Sequence, residues 1–413
     1  MLGKTPADWD VTTAALPEQV ESTLNGYPIL KTGLRHGTVT VLTSEQPVEV
    51  TTYRCDGSYT DGRHPDSVQF IQDLREDLRR RDFTVNAMAY HPEDGLVDPF
   101  GGQADLLAQR IRCVGDPDSR LTEDALRILR ALRFSAVLSF SIEPETTAAL
   151  RRNAAALSNI APERITSELL RLLCGPQALP VLRDFREIIG QAVPALVPMF
   201  DFSQNNPHHI YDVYLHTLHV VEAVPPERVL RLAALFHDCG KPSCYTEDEQ
   251  GIGHFYGHPA AGAAIAEQAL RRLRLDNDTI RQVVTLVTYH DVPLEPTRAC
   301  VRRWLNRLGE AALRRLLLLK RADNLGQAPA YQERQQQLDQ LDMLLQQVID
   351  DSLCFSLKNL AVKGDDLIEI GVPSSPELGK LLSRLLTEVL EERCPNERDA
   401  LLSLANKWRK RRE

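Results

Sequence analysis

The stretch Leu121-Thr-Glu-Asp-Ala-Leu-Arg-Ile-Leu-Arg-Ala-Leu-Arg-Phe134 predicts an amphipathic helix. Its apolar residues recur at intervals of three and four, which lines them up on one helical face: Ala125, Ile128, Leu129 and Leu132. The acidic residues at 123 and 124 fall in the first turn, where the helix dipole favours anions. We therefore expect a helix that buries this face and organises the helical region after it.

The same stretch carries a polar stripe with one residue in every three: Asp124, Arg127, Arg130 and Arg133. For a helix taken alone, a solvated face with weak ion pairs is the default interpretation. The alternative is a recognition surface, because aspartate only accepts hydrogen bonds whereas arginine offers a fixed fork of donors. Such a pair could match the edge of a nucleobase, with the outer arginines on phosphates.

Length, charge and cysteine usage limit the classes of protein. A chain of 413 residues corresponds to two or three domains. Its net charge of −9 excludes a global basic field, so contacts with nucleic acid must come from local patches. Eight cysteines without a CxxC pair argue against a zinc knuckle or a disulfide framework. No apolar run approaches the roughly 18 residues of a membrane span, so we expect a soluble cytoplasmic protein with no membrane partner.

Residues 1–112 have the mixed pattern of an α+β head. The alternating segments Thr38–Leu42 and Val48–Tyr53 predict a β-hairpin, and the charged segment Val68–Arg81 predicts a helix. The rest of the chain is helical in pattern. We expect an all-α neck over 113–200, a histidine-containing helical domain over 201–330 and a helical tail over 331–413.

Within the neck, periodicity predicts further helices over Pro144–Asn153, Pro162–Leu173 and Leu179–Val193. The polar segment Asp201–His209 reads as a connector. In the tail, a glutamine-rich segment from Tyr331 keeps leucine at helical spacing, which favours an amphipathic helix over disorder.

Two carboxylates near the start of the chain have the spacing of a metal site. If Trp9 to Thr12 form a strand, Asp8 and Asp10 project from the same face. Carboxylate oxygens suit Mg²⁺, and two such ions could stabilise the attacking and leaving oxygens of a nucleotidyl transfer. This pattern is weak by itself, because most instances are solvated turns. Glu49, on the second strand of the hairpin, is a loosely held candidate for a third carboxylate.

The segment Arg80-Arg-Asp-Phe-Thr-Val-Asn86 concentrates charge beside a predicted helix end. Arg81 could contact a triphosphate, and Asp82 or Asn86 could contact a ribose hydroxyl or brace the loop. The alternative is an ordinary helix end with local ion pairs.

Taken together, these motifs resemble the class II tRNA nucleotidyltransferases, which include the bacterial CCA-adding enzymes and relatives of the bacterial poly(A) polymerases. The segment Pro162-Glu-Arg-Ile165 with Glu168 resembles the family's next motif, and the resemblance covers nearly all of the chain. The motifs that carry it occur in the family's order: Asp8-x-Asp10, Arg80-Arg-Asp-Phe-Thr-x-Asn-Ala-x-Ala89, Asp98-Pro-Phe-Gly-Gly102, Ile111-Arg-x-Val-Gly-Asp-Pro117 and Glu123-Asp-x-x-Arg127.

The resemblance implies addition of C, C and A to the 3′ end of tRNA from CTP and ATP, with Mg²⁺ as the cofactor. It implies that Asp8 and Asp10 hold the metal ions and that Arg81 contacts the incoming nucleotide. Asp124 and Arg127 would pair with the base edge, and Arg130 and Arg133 would also reach the nucleotide. The tail would grip the tRNA elbow.

The family opens with a Gly-Gly strand end and a Val-Arg-Asp helix ahead of the paired aspartates. This sequence begins Met1-Leu-Gly-Lys-Thr-Pro6 and lacks that segment. The resemblance therefore implies a head without its first strand and helix, and we expect reduced activity of the chain as written.

A second set of residues follows the H…HD…D order of the HD superfamily: His216, His237, Asp238 and Asp291. Imidazole and carboxylate groups suit a divalent transition metal. His258 and His290 could complete a two-metal site that activates water against a phosphoester. His219 is a rival ligand, and an inherited scaffold with satisfied histidines is the alternative.

Three functions stay open from the sequence. The first is tRNA nucleotidyl transfer, with A-only or C-only addition as variants. The second is a metal-dependent phosphohydrolase whose head only binds RNA. The third is a tRNA-binding protein with a disabled head.

Overall fold

The computed structural model describes residue 3 and residues 9–57, 68–331, 334–351 and 356–409, without the side chains of Arg35 and Asp56. Asp8 lies outside the described residues. The chain divides into two compact units, residues 1–194 and 195–413. The first unit combines a small sheet with helices, and the second is almost entirely helical, which confirms the predicted α+β class. The finer division into four domains stays a prediction.

The head contains a four-stranded mixed sheet in the order β1-β4-β3-β2. Strands β3 and β4 form the predicted antiparallel hairpin, whereas β1 pairs with β4 in parallel. The buried face of the sheet is small, with valines of β3 and β4 packed against α1 (Pro17–Thr23). The strands are β1 (Asp10–Thr13), β2 (Ile29–Gly33), β3 (Thr38–Leu42) and β4 (Pro47–Thr52).

Short two-stranded sheets complete the strand inventory of the described chain. They are β5 (Arg54–Asp56) with β6 (Val68–Phe70), β7 (Ala89–His91) with β8 (Gly95–Val97), β9 (Arg110–Ile111) with β10 (Ser141–Ile142) and β11 (Thr246–Glu247) with β12 (Gly253–His254). The predicted helix Val68–Arg81 is therefore wrong at its start. Val68–Phe70 pairs as a strand, and the helix begins only after Asp73, whose carboxylate accepts from the Arg75 N–H.

The described part of the first unit contains eight further helices. They are α2 (Leu74–Arg79), α3 (Gly102–Leu107), α4 (Pro117–Glu123), α5 (Leu126–Leu138), α6 (Pro144–Asn153), α7 (Pro162–Leu173), α8 (Ala178–Asp184) and α9 (Arg186–Ala192). The predicted bounds of α6 and α7 are confirmed. The single helix predicted over 179–193 is instead α8 and α9, separated at Phe185.

The continuous helix predicted from Leu121 is also wrong, because α4 ends at Glu123 and α5 begins at Leu126. Asp124 has extended backbone angles, φ −143° and ψ 102°. Its side-chain Oδ1 accepts from the Leu126 N–H at 3.0 Å, and its carbonyl accepts from the Arg127 N–H at 3.0 Å. An aspartate side chain competes well for exposed backbone N–H groups. Asp124 therefore ends α4 and caps an N–H at the start of α5.

Beyond the break, the predicted apolar face of α5 is confirmed. Ile128, Leu129 and Leu132 are fully buried, and Ala125 is nearly so. Helix α5 packs against α7, α8 and α4, so this face fills the centre of the first unit. Burial of each large aliphatic side chain contributes about 1.5–3 kcal/mol.

The second unit is a bundle of helices: α10 (Val213–Ala223), α11 (Arg228–Phe236), α12 (His258–Arg272), α13 (Asn277–Tyr289), α14 (Arg298–Leu308), α15 (Glu310–Leu325), α16 (Arg334–Asp350), α17 (Gly364–Glu369), α18 (Pro376–Leu390) and α19 (Arg398–Arg409). The glutamine-rich segment is helical as predicted. Helix α16 packs on α14 and α15, and α15 in turn packs on α10, which carries His216. Helices α17 to α19 form a separate small core around Leu367, Leu385 and Leu401.

None of the helices in the described ranges is both long and apolar enough to cross a membrane.

Candidate functional sites

The carboxylate pair of the head is set by strand register. Asp10 on β1 and Glu49 on β4 are direct partners in the parallel pairing, so their side chains project from the same face of the sheet. Both residues are exposed. Neither side chain forms an ion pair with another described residue, so both carboxylates are available to a cation. Glu49 thus occupies the place that the sequence left open for a third carboxylate beside Asp10.

The arginines of α5 are held by acidic side chains from other elements. Arg130 contacts Asp82 at 2.6 Å, and Arg133 contacts Glu168 of α7 at 2.5 Å. Arg127 is buried and bonds Glu123 at 2.6 Å. The stripe is therefore not a solvated face. It is a partly buried lattice of charges that links α5 to the segment around Arg81 and to α7.

Arg127 also ties two backbone segments together. Its guanidinium donates to the carbonyl oxygens of Arg120 at 2.8 Å and of Arg80 at 3.0 Å. Asp124 accepts two hydrogen bonds from Arg164 of α7. Asp124 and Arg127, the two residues predicted to pair with a base edge, are thus held in place by internal hydrogen bonds. These bonds fix the direction in which their remaining acceptor and donor atoms point.

Arg81 differs from these arginines because its internal bonding is weak. Its closest contacts are the Asn86 carbonyl oxygen at 3.5 Å and the Asp77 carboxylate at 3.9 Å. Its Nε is buried and has no hydrogen-bond partner in the described part of the chain. A buried donor without a partner is costly, and an anionic ligand would satisfy it.

A buried cluster of histidine and aspartate side chains lies within the second unit. His216 on α10 and His237, directly after α11, place their Nε2 atoms 3.4 Å apart. Asp238 lies 3.1 Å from His237 through Oδ2 and 3.5 Å from His258 through Oδ1. The Nε2 atoms of His258 and His290 are 3.2 Å apart. The cluster therefore contains two groups of three donors that share Asp238, each compact enough for one metal ion.

The histidine tautomers suit metal binding. The Nδ1 atoms of all four rings face backbone carbonyl oxygens, those of Gly326, Ala234, Phe255 and Val287, at 2.7–3.2 Å. Because a carbonyl only accepts, Nδ1 carries the proton and Nε2 keeps its lone pair. His258 and His290 then oppose two lone pairs at 3.2 Å, and a cation between them would remove that repulsion.

Two of the predicted or rival ligands lie apart from the buried donors of this cluster. Asp291 is exposed, and Asp323 of α15 is the carboxylate that bonds His216 Nε2, at 3.0 Å. The rival ligand His219 is stacked on Tyr211, with ring centroids 4.4 Å apart, and is not a member of either group of donors. The order of residues in the sequence pointed to Asp291, after the end of α13, whereas the helix that faces His216 is α15.

Two further side chains define the electrostatics of the cluster. Buried Lys241 lies 2.7 Å from Asp238 Oδ2 and donates to Gln204 at 2.7 Å. Burial alone would raise the pKa of Asp238, but the adjacent His237 and Lys241 hold this pKa well below its usual value. Burial, together with the Lys241 charge, lowers the pKa of His209 to about 3, so His209 is neutral at physiological pH.

Comparisons with known families cover most of the chain. Residues 1–112 match the "Poly A polymerase head domain". Residues 139–188 match the "Probable RNA and SrmB- binding site of polymerase A", and residues 251–405 match domain 2 of a tRNA nucleotidyltransferase family.

A CCA-adding enzyme of Levilactobacillus brevis is 33% identical over 407 residues, which cover 98% of this chain and 90% of that protein. The chain belongs to the family of CCA-adding enzymes. Other members align over shorter segments at higher identity. The enzyme of Leuconostoc mesenteroides is 48% identical over 178 residues, and that of Geobacillus thermodenitrificans is 45% identical over 188 residues. In these two alignments the chain spans 44% and 46% of the relative's length.

Solved structures of CCA-adding enzymes have the same fold. That of Bacillus stearothermophilus in complex with CTP is 29% identical, with a TM-score of 0.73 over 100% of this chain and 91% of that chain. The Thermotoga maritima enzyme complexed with tRNA is 18% identical, with a TM-score of 0.59, and supports the fold alone.

Residues that the sequence did not single out complete both sites. Arg164 was visible only as part of a family motif, and its pairing with Asp124 spans 40 positions. Asp323 pairs with His216 across 107 positions. Local spacing carries no signal at such separations.

Proposed function

We propose that this chain adds C, C and A to the 3′ end of tRNA, using CTP and ATP with Mg²⁺. The observation that carries this proposal is the family relationship over 98% of the chain, together with the paired carboxylates of Asp10 and Glu49. The Bacillus stearothermophilus relative is described in complex with CTP. In this proposal, tRNA is the acceptor and its 3′-hydroxyl attacks the α-phosphate of the nucleotide, which releases pyrophosphate.

The chain's own residues divide the work in the proposed reaction. Asp10 and Glu49, with Asp8, supply oxygen ligands for Mg²⁺, which would stabilise charge on the phosphates when bound. Arg81 offers its unsatisfied Nε to the incoming nucleotide. Asp124 and Arg127 select the base edge because their partners fix the direction of their free acceptors and donors.

Arg130 and Arg133 have a supporting place in this proposal. Each is paired with an acidic residue outside α5, so each helps to hold α5 against its neighbours. Each can contact the nucleotide only if its ion pair rearranges. Helices α17 to α19 are proposed to contact the tRNA elbow. Cytoplasmic localisation is the corresponding proposal for a tRNA-processing enzyme.

The test is incorporation of labelled CMP and AMP into tRNA that lacks its terminal CCA. We expect both nucleotides to be added in the order C, C, A. Incorporation of one nucleotide alone would identify a C-only or A-only enzyme. Failure to incorporate either, by a protein that still binds tRNA, would favour the tRNA-binding alternative.

We infer a second activity for the histidine cluster, metal-dependent hydrolysis of phosphoesters. It is supported by the two groups of donors that share Asp238 and by the histidine tautomers. Divalent transition metals suit this donor set, and when bound they would activate water and polarise the phosphoester. The chain's own contribution is to hold the imidazoles with Nε2 inward and to place Lys241 beside Asp238.

Hydrolysis of p-nitrophenyl phosphate and bis(p-nitrophenyl) phosphate with Mn²⁺, Co²⁺ or Ni²⁺ tests this activity. We expect metal-dependent turnover that is lost in His237→Ala and kept in His219→Ala, because only His237 lies in the cluster. Equal loss in both variants would contradict the assignment.

A further inference from the structure

Two cavities adjoin the histidine cluster. The first, here the metal cavity, has a volume of about 280 Å³ and is lined by Asp238, His258 and Lys241. The second, here the side cavity, has a volume of about 430 Å³ and lies between the segment after α13, the end of α15 and the start of α16. Both are lined by His290, Asp291, Asp323 and Gln327. A ligand can therefore extend from the metal cavity into the side cavity.

The side cavity has two cationic side chains that belong to neither group of metal-binding donors. Lys320 and Arg334 line it. Lys320 donates to the His290 carbonyl oxygen at 2.5 Å, which uses one of its three N–H groups. Arg334 begins the 17-residue helix α16 and forms no ion pair within the described part of the chain. These donors favour an anion.

The rest of the side-cavity wall combines apolar side chains with amides and with the carboxylates of Asp291 and Asp323. Pro293, Leu294, Leu338 and Leu341 contribute to it, and Gln337 adds an amide that can both donate and accept. A cavity of this volume is within the range of organic ligand sites and exceeds what a lone phosphate needs. The cationic side chains suit a phosphate, and the apolar side chains and the Gln337 amide suit the base or ribose that carries it.

We propose that the side cavity binds the second anionic group of a phosphoester whose reacting phosphate lies in the metal cavity. The substrate class is a phosphate–ribose–phosphate unit, as in a nucleoside bisphosphate or an RNA end that carries a terminal phosphate. This proposal rests on the hydrolase activity inferred above. Water attacks the phosphorus of the reacting phosphate and the ester P–O bond breaks. A proton released by that water passes to the leaving sugar oxygen, so the products are inorganic phosphate and a sugar hydroxyl.

The kinetic test compares phosphate release from adenosine 3′,5′-bisphosphate with release from 3′-AMP and 5′-AMP. These substrates cannot serve as donors for nucleotidyl transfer, so phosphate release reports the hydrolase. We expect kcat/KM to be about 10- to 100-fold higher for the bisphosphate, the range expected for one charge-assisted contact. Equal values for mono- and bisphosphate would overturn the proposal.

Arg334→Met removes the cation and keeps much of the side-chain volume. It should abolish the preference for the bisphosphate and leave p-nitrophenyl phosphate hydrolysis unchanged. The matched control is Arg314→Met on α15, whose guanidinium pairs with Glu310 at 2.9 Å on the surface. It should keep the preference, and a preference that survives in Arg334→Met would overturn the proposal.

Binding gives a readout that does not depend on turnover. Titration of the metal-free full chain with adenosine 3′,5′-bisphosphate should show a binding event that is weakened about 10-fold or more in Arg334→Met and retained in Arg314→Met. Unchanged binding in Arg334→Met would contradict the assignment of the cavity. If the wild type hydrolyses no p-nitrophenyl phosphate, the inferred hydrolase activity fails, and the substrate assignment fails with it.

A short RNA with a 3′-phosphate carries the same phosphate–ribose–phosphate unit as the free bisphosphate. Faster release from this RNA would identify RNA ends as the source, and faster release from the free bisphosphate would identify nucleotides. Arg334→Met should reduce whichever of the two is preferred.

Discussion

Arg164 holds the carboxylate of Asp124 through two hydrogen bonds, at 3.2 and 2.7 Å. Asp124 lies two residues before the start of α5, and Arg164 lies in the first turn of α7, so the pair joins the ends of two helices that pack against each other. Two parallel N–H···O bonds fix a carboxylate in orientation as well as position. If Asp124 reads a base edge, Arg164 sets the angle at which it does so.

Replacement of this arginine therefore affects nucleotide choice. We expect Arg164→Met to reduce the ratio of kcat/KM for CTP over UTP roughly 10- to 100-fold, because a misplaced polar group loses its geometry toward the correct base. The control is Arg152→Met, which removes an exposed ion pair with Asp118 in the same unit. An unchanged ratio in Arg164→Met, with normal folding, would exclude this positioning role.

The register of β1 and β4 leads to a second prediction. Glu49→Gln and Asp10→Asn should each lower the rate of nucleotide incorporation at least roughly 10- to 100-fold. That is the loss expected when a group that only supports a metal ligand is removed, and loss of a ligand itself should cost no less. Binding of tRNA, measured by filter retention, should not change. Glu45→Gln, in the exposed loop ahead of β4, is the matched control. Full activity of Glu49→Gln would remove Glu49 from the metal site.

Metal content separates the two candidate carboxylates of the histidine cluster. Asp323 bonds His216 at 3.0 Å, whereas Asp291 is exposed. After loading with Mn²⁺ or Co²⁺ and desalting, Asp323→Asn should retain less metal than the wild type. Asp291→Asn should match the wild type when both are measured by plasma mass spectrometry. The reverse result would restore Asp291 as the ligand.

Thiol reactivity tests the burial of two cysteines. Burial raises the pKa of Cys113 and of Cys239 to about 12, so at pH 8 only about one thiol in 10,000 is ionised. Because the thiolate is the nucleophile, native protein should react with iodoacetamide at Cys244, which is partly exposed, well before Cys113 or Cys239. Peptide mapping by mass spectrometry gives the order. Equal rates in folded protein would contradict the buried positions.

Sequence reasoning succeeded where the signal was local. Helices α6 and α7 have the predicted bounds because each begins with a proline at its first position and keeps a clear apolar period. The hairpin of β3 and β4 follows from alternation. Each signal is contained within one element, so no distant contact was needed to interpret it.

The failures have a shared physical cause. Asp124 broke a helix whose periodicity was otherwise continuous, since its side chain captured the Leu126 N–H and its carboxylate found Arg164. Val68–Phe70 became a strand because β5 offered it a pairing edge. In both places a contact from outside the segment outweighed the small differences in local propensity.

By itself, the sequence determined the α+β class, the family resemblance and the residue types of both sites. The residue spacing alone predicted the apolar face of α5, and the order of residues alone predicted the histidine cluster. Only the tertiary structure decided that Glu49 lies beside Asp10, that Arg130 and Arg133 are paired with buried acids, and that Asp323 rather than Asp291 bonds His216. These outcomes depend on strand register and helix packing, which bring together residues that are distant in the sequence.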